Sequence, residues 1–537
     1  MECNEVRKRR QRITRTRAAA CRKPGRPVQF SAERKEAPVC RAVGETKNDA
    51  LPPMQQSEAG TEAAGTKEQE ANPWRRIAGK RRDDRKRTGK GNQEDRAEGE
   101  PKNATDLSPD EAGTLMQKIP VYSPDQSYLA EYAEAVIRVL SSGQYTNFGP
   151  CEETFRQMLL EYTGIPCCQP VSSGDMALYL ALLGMREGEK EQQEAEKPRE
   201  ADPPGPGRDR REDLCRDSEK KEVITTPFTF PSTTEAILRA GYRPVFADVD
   251  PITLTLSPEA VRSRITKNTA GILPVHVYGN LCDTEAIGEI AKEHHLFVVY
   301  DAAHAFGETR HGRSILEEGD LTAISTHTTK TLHTVEGGCL FGRDRKVMER
   351  IRRMSNFGLS GREGTPVPEI GCNAKMNELE AAIGIVNLSH YDTGREKRAR
   401  LDARYRERLG GLPGIGLRPL QSGVESNFSY FPVFVTERFG ITRDDLRSYL
   451  KSHGVSTRRY FYPLVSESDA IRRASGMAPL PEDPREREKV LMAKTPAAFA
   501  ASRQVLCLPL YSDLPLEAVD HICALITAVV RSAQSRT

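Results

Sequence analysis

From residue 223 onward, short apolar runs rich in β-branched residues alternate with stretches of helical periodicity. The apolar runs occupy 223–228, 244–249, 271–278, 296–300 and 321–325, and helical stretches such as 232–240 and 283–294 lie between several of them. Strands that alternate with helices are joined by right-handed crossovers and pair in parallel. The alternation therefore predicts an α/β fold with a mostly parallel central sheet flanked by helices.

The pattern changes after about residue 395. A charged helix is predicted over 393–409, a strand over 429–435, a helix over 443–454 and a last helix near 515–531. Mixed elements without strand–helix alternation are typical of an α+β arrangement. We therefore expect a large domain over 116–395 and a smaller C-terminal α+β domain over 396–537.

A polar tract interrupts the large domain upstream of its first apolar run. Residues 186–222 hold 10 basic and 13 acidic residues among 37, with PPGPG at 203–207. So little apolar surface cannot offset the entropy cost of ordering the chain. We predict that 186–222 is a disordered, charged loop insertion between a helix at 176–185 and the strand at 223–228.

Residues 1–115 are predicted to be a disordered basic tail, because they lack a periodic apolar pattern. The first 40 residues hold 12 Lys/Arg and 4 Asp/Glu, a local charge of +8, so the total of +3 leaves −5 for the rest. A mildly acidic body is unlike a nucleic-acid-binding domain, and no such partner is expected. The run RKRRQRITRTR at 7–17 is open to three interpretations: a transit peptide, a nuclear-type basic patch or a solvated tail.

The 12 cysteines are scattered and form no CxxC pair. In a long chain this pattern favours reduced thiols, and hence the cytoplasm or, given the Arg-rich start, an organelle matrix. The Cys167–Cys168 pair has no second pair to complete a zinc site, and His327 has no second ligand nearby, so no metal site is predicted. No apolar run approaches the 18 or so residues needed to span a bilayer, so no membrane partner is expected.

Candidate functional residues follow the predicted strands. Asp301 and His304 come directly after the run at 296–300, and Lys330 closes the stretch that begins at Ser325. Because ligands of open parallel sheets bind at the carboxyl ends of the strands, we expect these residues to lie close together.

A lysine and a carboxylate at one sheet edge are what pyridoxal 5'-phosphate (PLP) requires. A deprotonated lysine must form the Schiff base, and Lys330 is the candidate. A carboxylate must keep the pyridine nitrogen protonated so that the ring acts as an electron sink, and Asp301 is the candidate. Each residue alone has an ordinary alternative, a solvated lysine or a helix-capping aspartate, and only the combination points to PLP.

The remaining parts of a PLP site are flat side chains for the ring and donors for the phosphate. Phe230 and His304 are candidates for the two ring faces. Ser325 and the backbone amides around Gly174, at the start of a predicted helix, are candidates for holding the phosphate.

Ten sequence strings resemble those of one family, the DegT/StrS-type sugar aminotransferases, which are PLP enzymes of the aspartate-aminotransferase fold (fold type I). The strings are TNFGP (146–150), SSGDMAL (172–178), TPFTFPSTTEAI (226–237), PVFADVDP (244–251), ILPVHVYGN (272–280), YDAAHAFG (300–307), STHTTK (325–330), VEGG (335–338), GCNAKMNELEAAIG (371–384) and RRYFYPL (458–464). The resemblance spans about 120–530 apart from the insertion. The strings are most similar to those of the family branch that makes dTDP-4-amino-4,6-dideoxyglucose.

The resemblance implies a role for each candidate residue. Lys330 would form the Schiff base and then move the proton, and Asp301 would pair with the pyridinium nitrogen. The other cofactor-binding residues would be, at the phosphate, Ser173, Gly174, Asp175 and Ser325; at the ring, Phe230 and His304; nearby, His327; and, from the other subunit of a homodimer with shared active sites, Asn373. The loop at 146–150 would also border that shared site.

The chain departs from the family pattern at two positions. The family usually has threonine after the glycine of the phosphate turn, where this chain has Asp175, and an aromatic residue is common at the position of Thr326. A carboxylate beside a phosphate dianion is unfavourable through simple repulsion. The departure at Asp175 is therefore expected to affect the affinity for the cofactor, and it leaves the predicted fold unchanged.

The resemblance predicts transfer of an amino group from L-glutamate to a nucleotide-linked keto-deoxysugar, such as a dTDP-4-keto-6-deoxyhexose. The reaction would be ping-pong, because one site handles both half-reactions. One alternative is a PLP sugar dehydratase of the same family, but those enzymes have histidine in place of the lysine that is Lys330 here. A second alternative, from a different class, is a PLP-binding regulator or scaffold without turnover.

Overall fold

A computed structural model describes residues 118–196, 221–360 and 365–534 of the 537-residue chain. The predicted disordered tail at 1–115 and most of the predicted insertion lie outside the described residues. Within the described ranges, no helix is both long and apolar enough to cross a bilayer.

A seven-stranded sheet forms the centre of the large domain. Its strands are β1 (Cys167–Val171), β2 (Glu222–Thr225), β3 (Arg243–Phe246), β4 (Thr269–Leu273), β5 (Phe297–Asp301), β8 (Leu321–Ser325) and β9 (Gly338–Gly342). Their order across the sheet is β1-β9-β8-β5-β4-β2-β3. Only β9 is antiparallel to its neighbours, so the other six strands share one direction. The predicted mostly parallel α/β fold is confirmed.

Both faces of this sheet are buried, as strand β5 shows. Phe297 and Val299 belong to the apolar core on one face, whereas Val298 and Tyr300 belong to the core on the other. Successive side chains of a strand point to opposite faces, so a strand that is apolar at every position requires cover on both sides.

Helices supply that cover and connect the strands. In this domain they are α1 (Leu129–Ser142), α2 (Pro150–Thr163), α3 (Gly174–Glu196), α4 (Pro231–Arg239), α5 (Pro258–Arg262), α6 (Thr284–His294), α7 (Arg345–Met354) and α8 (Glu378–Ser389). Helix α9 (Tyr391–Leu409) follows, and its Leu401, Tyr405 and Leu409 belong to the apolar core of the C-terminal residues. Short 3-10 turns occur at Val277–Gly279, Ile315–Glu317, Glu437–Phe439 and Val465–Glu467.

The boundaries predicted for the insertion are wrong at both ends. Residues 186–196 continue helix α3, and Glu222 is the buried first residue of β2. Glu, Lys, Gln and Ala have high helix propensity, so the first third of the charged tract can extend the preceding helix. Arg186 also anchors this stretch, because its Nη1 donates a hydrogen bond to the backbone oxygen of Ala240 at 2.8 Å.

The C-terminal residues form a second apolar core around a small sheet. The C-terminal elements are β10 (Ile415–Leu417), β12 (Phe431–Val435) and β13 (Val505–Leu508), with helices α10 (Arg443–Ser452), α11 (Asp469–Ala474), α12 (Pro484–Lys494), α13 (Pro496–Gln504) and α14 (Leu516–Gln534). Helices α10 and α14 pack into this second core, whereas Leu491 of α12 and Phe499 of α13 belong to the core of the large sheet. All strand pairs of this sheet are antiparallel. A further small sheet joins β6 (Thr309–Arg310), β7 (Arg313–Ser314) and β11 (Val424–Glu425).

Candidate active site

Three chain segments that follow parallel strands meet at the carboxyl edge of the large sheet. Asp301 ends β5, Ser325 ends β8, and the turn that leads into α3 follows β1. They surround a cavity of about 250 Å³. Nine of the ten residues predicted from the sequence to bind a cofactor line this cavity: Ser173, Gly174, Asp175, Phe230, Asp301, His304, Ser325, His327 and Lys330.

Asp301 is buried and hydrogen-bonded on both carboxylate oxygens. Thr233 Oγ1 donates to Oδ2 at 2.8 Å, and the backbone N–H of Ala303 donates to Oδ1 at 3.1 Å. Burial raises the pKa of Asp301, while the Thr233 and Ala303 hydrogen bonds and the charge of Lys330 act in the opposite direction. Thr233 in turn lies 2.8 Å from Thr229 through their hydroxyls, so two threonines hold the carboxylate in place.

Lys330 lies in the loop after β8, with its ammonium group in the same cavity. Its Nζ donates to the hydroxyl of Tyr430 at 3.4 Å. Burial lowers the pKa of Lys330 from 10.5 to about 8, and the Asp301 carboxylate partly opposes this shift. At pH 7.5 about a quarter of such amines are neutral, against about one in a thousand for an ordinary lysine. A neutral amine is the form that attacks carbonyl groups.

Because only neutral Lys330 can react, the rate at which added PLP joins this lysine should rise with pH, with a midpoint near pH 8. Stopped-flow absorbance of the PLP-free protein measures the rate. Asp301→Asn removes the charge that stabilises the ammonium, so its midpoint should lie at lower pH. A midpoint near 10.5 in the unchanged protein would contradict the burial of this amine.

His304 is buried beside Asp301 and is held by the backbone. Its Nδ1 accepts a hydrogen bond from the N–H of Tyr278 at 3.0 Å. Burial and the charge of Lys330 lower the pKa of His304. A neutral ring that accepts at Nδ1 carries its hydrogen on Nε2, so His304 presents a flat, uncharged face and one donor.

The turn before α3 leaves a cradle that a side chain would fill. A Cβ on Gly174 would lie 2.7 Å from Cβ of Ser325, and one on Gly338 would lie 2.5 Å from the backbone oxygen of Ser173. The first amides of a helix lack partners within the helix and attract anions. Ser173 Oγ already accepts the N–H of Met176 at 3.1 Å, which orders this first turn.

Asp175 lines the cavity next to this cradle and forms an ion pair. Its Oδ1 lies 2.5 Å from Nη2 of Arg239, the last residue of α4. The sequence did not reveal this pair, because the two residues are 64 positions apart.

Three predicted features lie apart from the centre of the cavity. Phe230 is at the cavity mouth and 56% exposed. Asn373 is not part of the lining; its Oδ1 accepts a hydrogen bond from Lys375 Nζ at 2.7 Å. The loop at 146–150 does not line the cavity either, and a Cβ on Gly149 would overlap the carboxylate of Glu378.

Sequence reasoning missed Tyr430 as a lining residue, and it left the motif at 458–464 open between a place at the nucleotide-sugar pocket and a packing role. Tyr430, Tyr460 and Phe461 line the side of the cavity formed by the C-terminal residues, and Phe461 lies parallel to His304 with ring centroids 5.9 Å apart. Tyr460 and Phe461 belong to that motif and line the cavity.

The cavity fits PLP on four counts: a cradle of small residues at a helix N-terminus, a buried carboxylate on a strand end, a partly buried lysine and flat neighbours. Together with the sheet order, these features define a PLP-dependent enzyme of the aspartate-aminotransferase fold, fold type I. The profile of the DegT/DnrJ/EryC1/StrS aminotransferase family matches residues 127–194 and 215–527, and the chain belongs to that family of PLP-dependent sugar aminotransferases. The predicted fold, family, cofactor and enzyme class are confirmed.

Three relatives illustrate this membership. The chain is 33% identical over 410 residues to dTDP-4-amino-4,6-dideoxy-D-glucose transaminase of Shigella dysenteriae, covering 76% of this chain and 98% of the relative. It is 32% identical over 382 residues to dTDP-3-amino-3,4,6-trideoxy-alpha-D-glucose transaminase of Streptomyces venezuelae, covering 71% and 87%. The crystal structure of S. venezuelae DesV in complex with a ketimine intermediate is similar with a TM-score of 0.64 at 30% identity, covering 77% and 99%.

Proposed function

We propose that this protein transfers the amino group of L-glutamate to the ketone of a nucleotide-linked deoxysugar, in the first instance a dTDP-4-keto-6-deoxyhexose. The observation that carries this proposal is a second cavity beside the first, of about 370 Å³. The two cavities share Thr329, Tyr430 and Tyr460. A substrate whose ketone reaches Lys330 therefore has room for a second large group in the adjacent cavity.

The second cavity is cationic. Arg447, Lys451 and Arg458 line it, and none of the three has an ion-pair partner within the described ranges. Unpaired cations around a pocket favour anions, and guanidinium groups match the geometry of phosphates. The diphosphate of a nucleotide sugar and the carboxylates of glutamate share this requirement, so one pocket can serve both half-reactions in turn.

Several residues of the first cavity have distinct tasks in this proposal. Bound PLP supplies an aldehyde that carries amino groups and a ring that withdraws electrons. Lys330 Nζ moves the proton at the reacting carbon, which its lowered pKa suits. Asp301 holds the proton on the ring nitrogen, and Thr233 orients that carboxylate. His304 and Phe230 lie against the two faces of the ring. Ser173, Gly174 and Ser325 hold the phosphate.

The test is to incubate purified protein with PLP, L-glutamate and a panel of dTDP- and UDP-linked keto sugars, with mass detection of products. An amino-sugar nucleotide together with 2-oxoglutarate supports the proposal, and the sugar that reacts identifies the carbon aminated. A dehydrated sugar without amine would indicate the dehydratase. PLP binding without any product across donors and sugars would support the non-catalytic regulator instead.

The cationic cavity makes a separate prediction. Arg447→Gln should raise KM for the nucleotide sugar by about tenfold or more, since a hydrogen bond to a charged group contributes about 1.5–3 kcal/mol. The kcat should change little, because the diphosphate is remote from the reacting carbon. Arg438→Gln, the same change on an exposed arginine of the C-terminal domain, is the matched control. Equal effects of the two variants on KM would contradict the assignment of the second cavity to the nucleotide sugar.

We further propose a homodimer with shared active sites, in which Asn373 reaches the phosphate of the partner's site. Support comes from Asn373 lying outside the cavity of its own chain, near large exposed apolar residues such as Phe357 and Ile370, which is 87% exposed. Light scattering tests the dimer. Asn373→Ala should weaken PLP binding although the cavity of its own chain is intact. Unchanged PLP binding in a stable dimer would refute the role of Asn373.

Two finer predictions remain as proposals. The division into a large domain over 116–395 and a small domain over 396–537 is supported by an apolar core that holds the C-terminal side chains Leu401, Val433 and Ile522. Other C-terminal side chains, such as Phe434 and Phe499, belong to the core of the large sheet. Location in the cytoplasm or an organelle matrix stays a prediction from the sequence, and fractionation of cells that express the full chain tests it.

A further inference from the structure

Asp175 poses an electrostatic problem for the cofactor site. It is the second residue of α3, where the helix N-terminus and Gly174 form the cradle for a phosphate dianion. Its side chain is 34% exposed and lines the same cavity. A free carboxylate at that place would repel the phosphate.

The guanidinium of Arg239 is held where it meets this carboxylate. Its Nη2 lies 2.5 Å from Asp175 Oδ1, and its Nε donates to the backbone oxygen of Glu235 at 3.4 Å. The guanidinium carbon lies 5.6 Å from the ring centroid of Tyr179, one turn further along α3. Contacts from both α3 and α4 therefore fix the arginine at the edge of the cradle.

We propose that Arg239 is a cofactor-positioning residue in this chain. By pairing with Asp175 it offsets the carboxylate charge and turns the carboxylate away from the phosphate, so that the amides of the turn from Ser173 can bind the dianion. Arg239 is absent from the cavity lining, which argues for action through Asp175 and against direct phosphate contact. The inference rests on the PLP site and not on the identity of the sugar.

The proposal predicts that the effects of the two residues are not additive. Arg239→Gln should raise the dissociation constant of PLP by about tenfold or more, because it leaves an unpaired carboxylate beside the phosphate. Asp175→Thr should bind PLP at least as tightly as the unchanged protein. Once Asp175 is threonine, adding Arg239→Gln should change the constant by less than about threefold, since there is no charge left to offset.

The measurement is titration of the PLP-free full-length protein with PLP, followed by cofactor absorbance and by the fluorescence of the protein. Pyridoxal, which lacks the phosphate, is the matched probe, and its weaker binding should be unaffected by Arg239→Gln. Arg262→Gln removes an exposed ion pair with Glu293 elsewhere in the large domain and is the control variant. Thermal unfolding of each PLP-free variant reports on folding.

Three results would overturn the proposal. Loss of PLP affinity on Arg239→Gln that persists in the Asp175→Thr background would indicate direct phosphate binding or a merely structural arginine. Equal weakening for pyridoxal and PLP would indicate damage to the ring site. Tight PLP binding by the single Arg239→Gln variant would show that cofactor binding does not depend on the ion pair between Arg239 and Asp175. Failure of the unchanged protein to bind PLP would instead refute the cofactor site itself, so the two failures are distinguishable.

Discussion

Replacing Lys330 by alanine should lower kcat for amino transfer by about 10⁴-fold or more. The variant loses the amine that joins the cofactor and the group that moves the proton, and acid–base catalysis alone contributes about 10²–10⁴-fold. Tyr430, whose hydroxyl is 3.4 Å from Lys330 Nζ, cannot substitute, because burial holds its pKa well above 10. Single-turnover mass detection of product from L-glutamate and the keto sugar measures the loss.

The same variant separates an enzyme from a cofactor-binding scaffold. PLP should still occupy the cavity through its phosphate, but the visible absorbance band should no longer shift when glutamate is added. Lys346→Ala, at an exposed position of α7, is the matched control and should behave as the unchanged protein. A glutamate-dependent shift or product formation that survives Lys330→Ala would overturn the assignment of this lysine.

The local pattern of apolar and β-branched residues was sufficient to predict the strands that carry the site residues. The run at 321–325 coincides with strand β8, and the run at 296–300 with β5 to within one residue. Both are short, apolar, β-branched-rich runs bounded by polar residues, which is what a doubly covered parallel strand requires. Since strand ends meet at one edge, the juxtaposition of Asp301 and Lys330 followed from the fold class.

Two strands of the same sheet escaped prediction for identifiable reasons. Strand β9 is Gly338–Gly342, and glycines at both ends are typical of turns. Strand β1 contains Pro170, which cannot donate to a ladder and is tolerated because β1 is an edge strand. Whether a strand lies at an edge depends on the whole sheet and is not encoded locally.

The missed contacts are those between residues distant in sequence. Thr233 is 68 positions from Asp301, and Arg239 is 64 from Asp175. Tyr430 comes from the C-terminal domain, 100 residues after Lys330. Residue type and spacing identify groups that can do chemistry, whereas the partners that orient and neutralise them are chosen by tertiary packing.

The second large effect is expected at Asp301. Asp301→Asn keeps the size of the side chain and an oxygen that can accept from Thr233, but it removes the negative charge. The ring nitrogen of PLP then loses the charge that keeps it protonated, and kcat should fall by about 10²–10³-fold, the size typical of one lost electrostatic contact in a site. PLP should still bind and join Lys330, so the loss should appear in kcat more than in cofactor affinity.

Two comparisons decide whether the charge or the shape of Asp301 matters. A PLP analogue methylated on the ring nitrogen carries a fixed positive charge, so it should restore part of the activity of Asp301→Asn. Binding of the analogue without recovery of activity would contradict the charge role.

Thr233→Val removes a hydrogen bond that lowers the pKa of Asp301. That pKa should therefore rise, the carboxylate should protonate at higher pH, and the acid limb of the kcat–pH profile should move upward. An unmoved limb with full activity would show that Thr233 contributes packing alone.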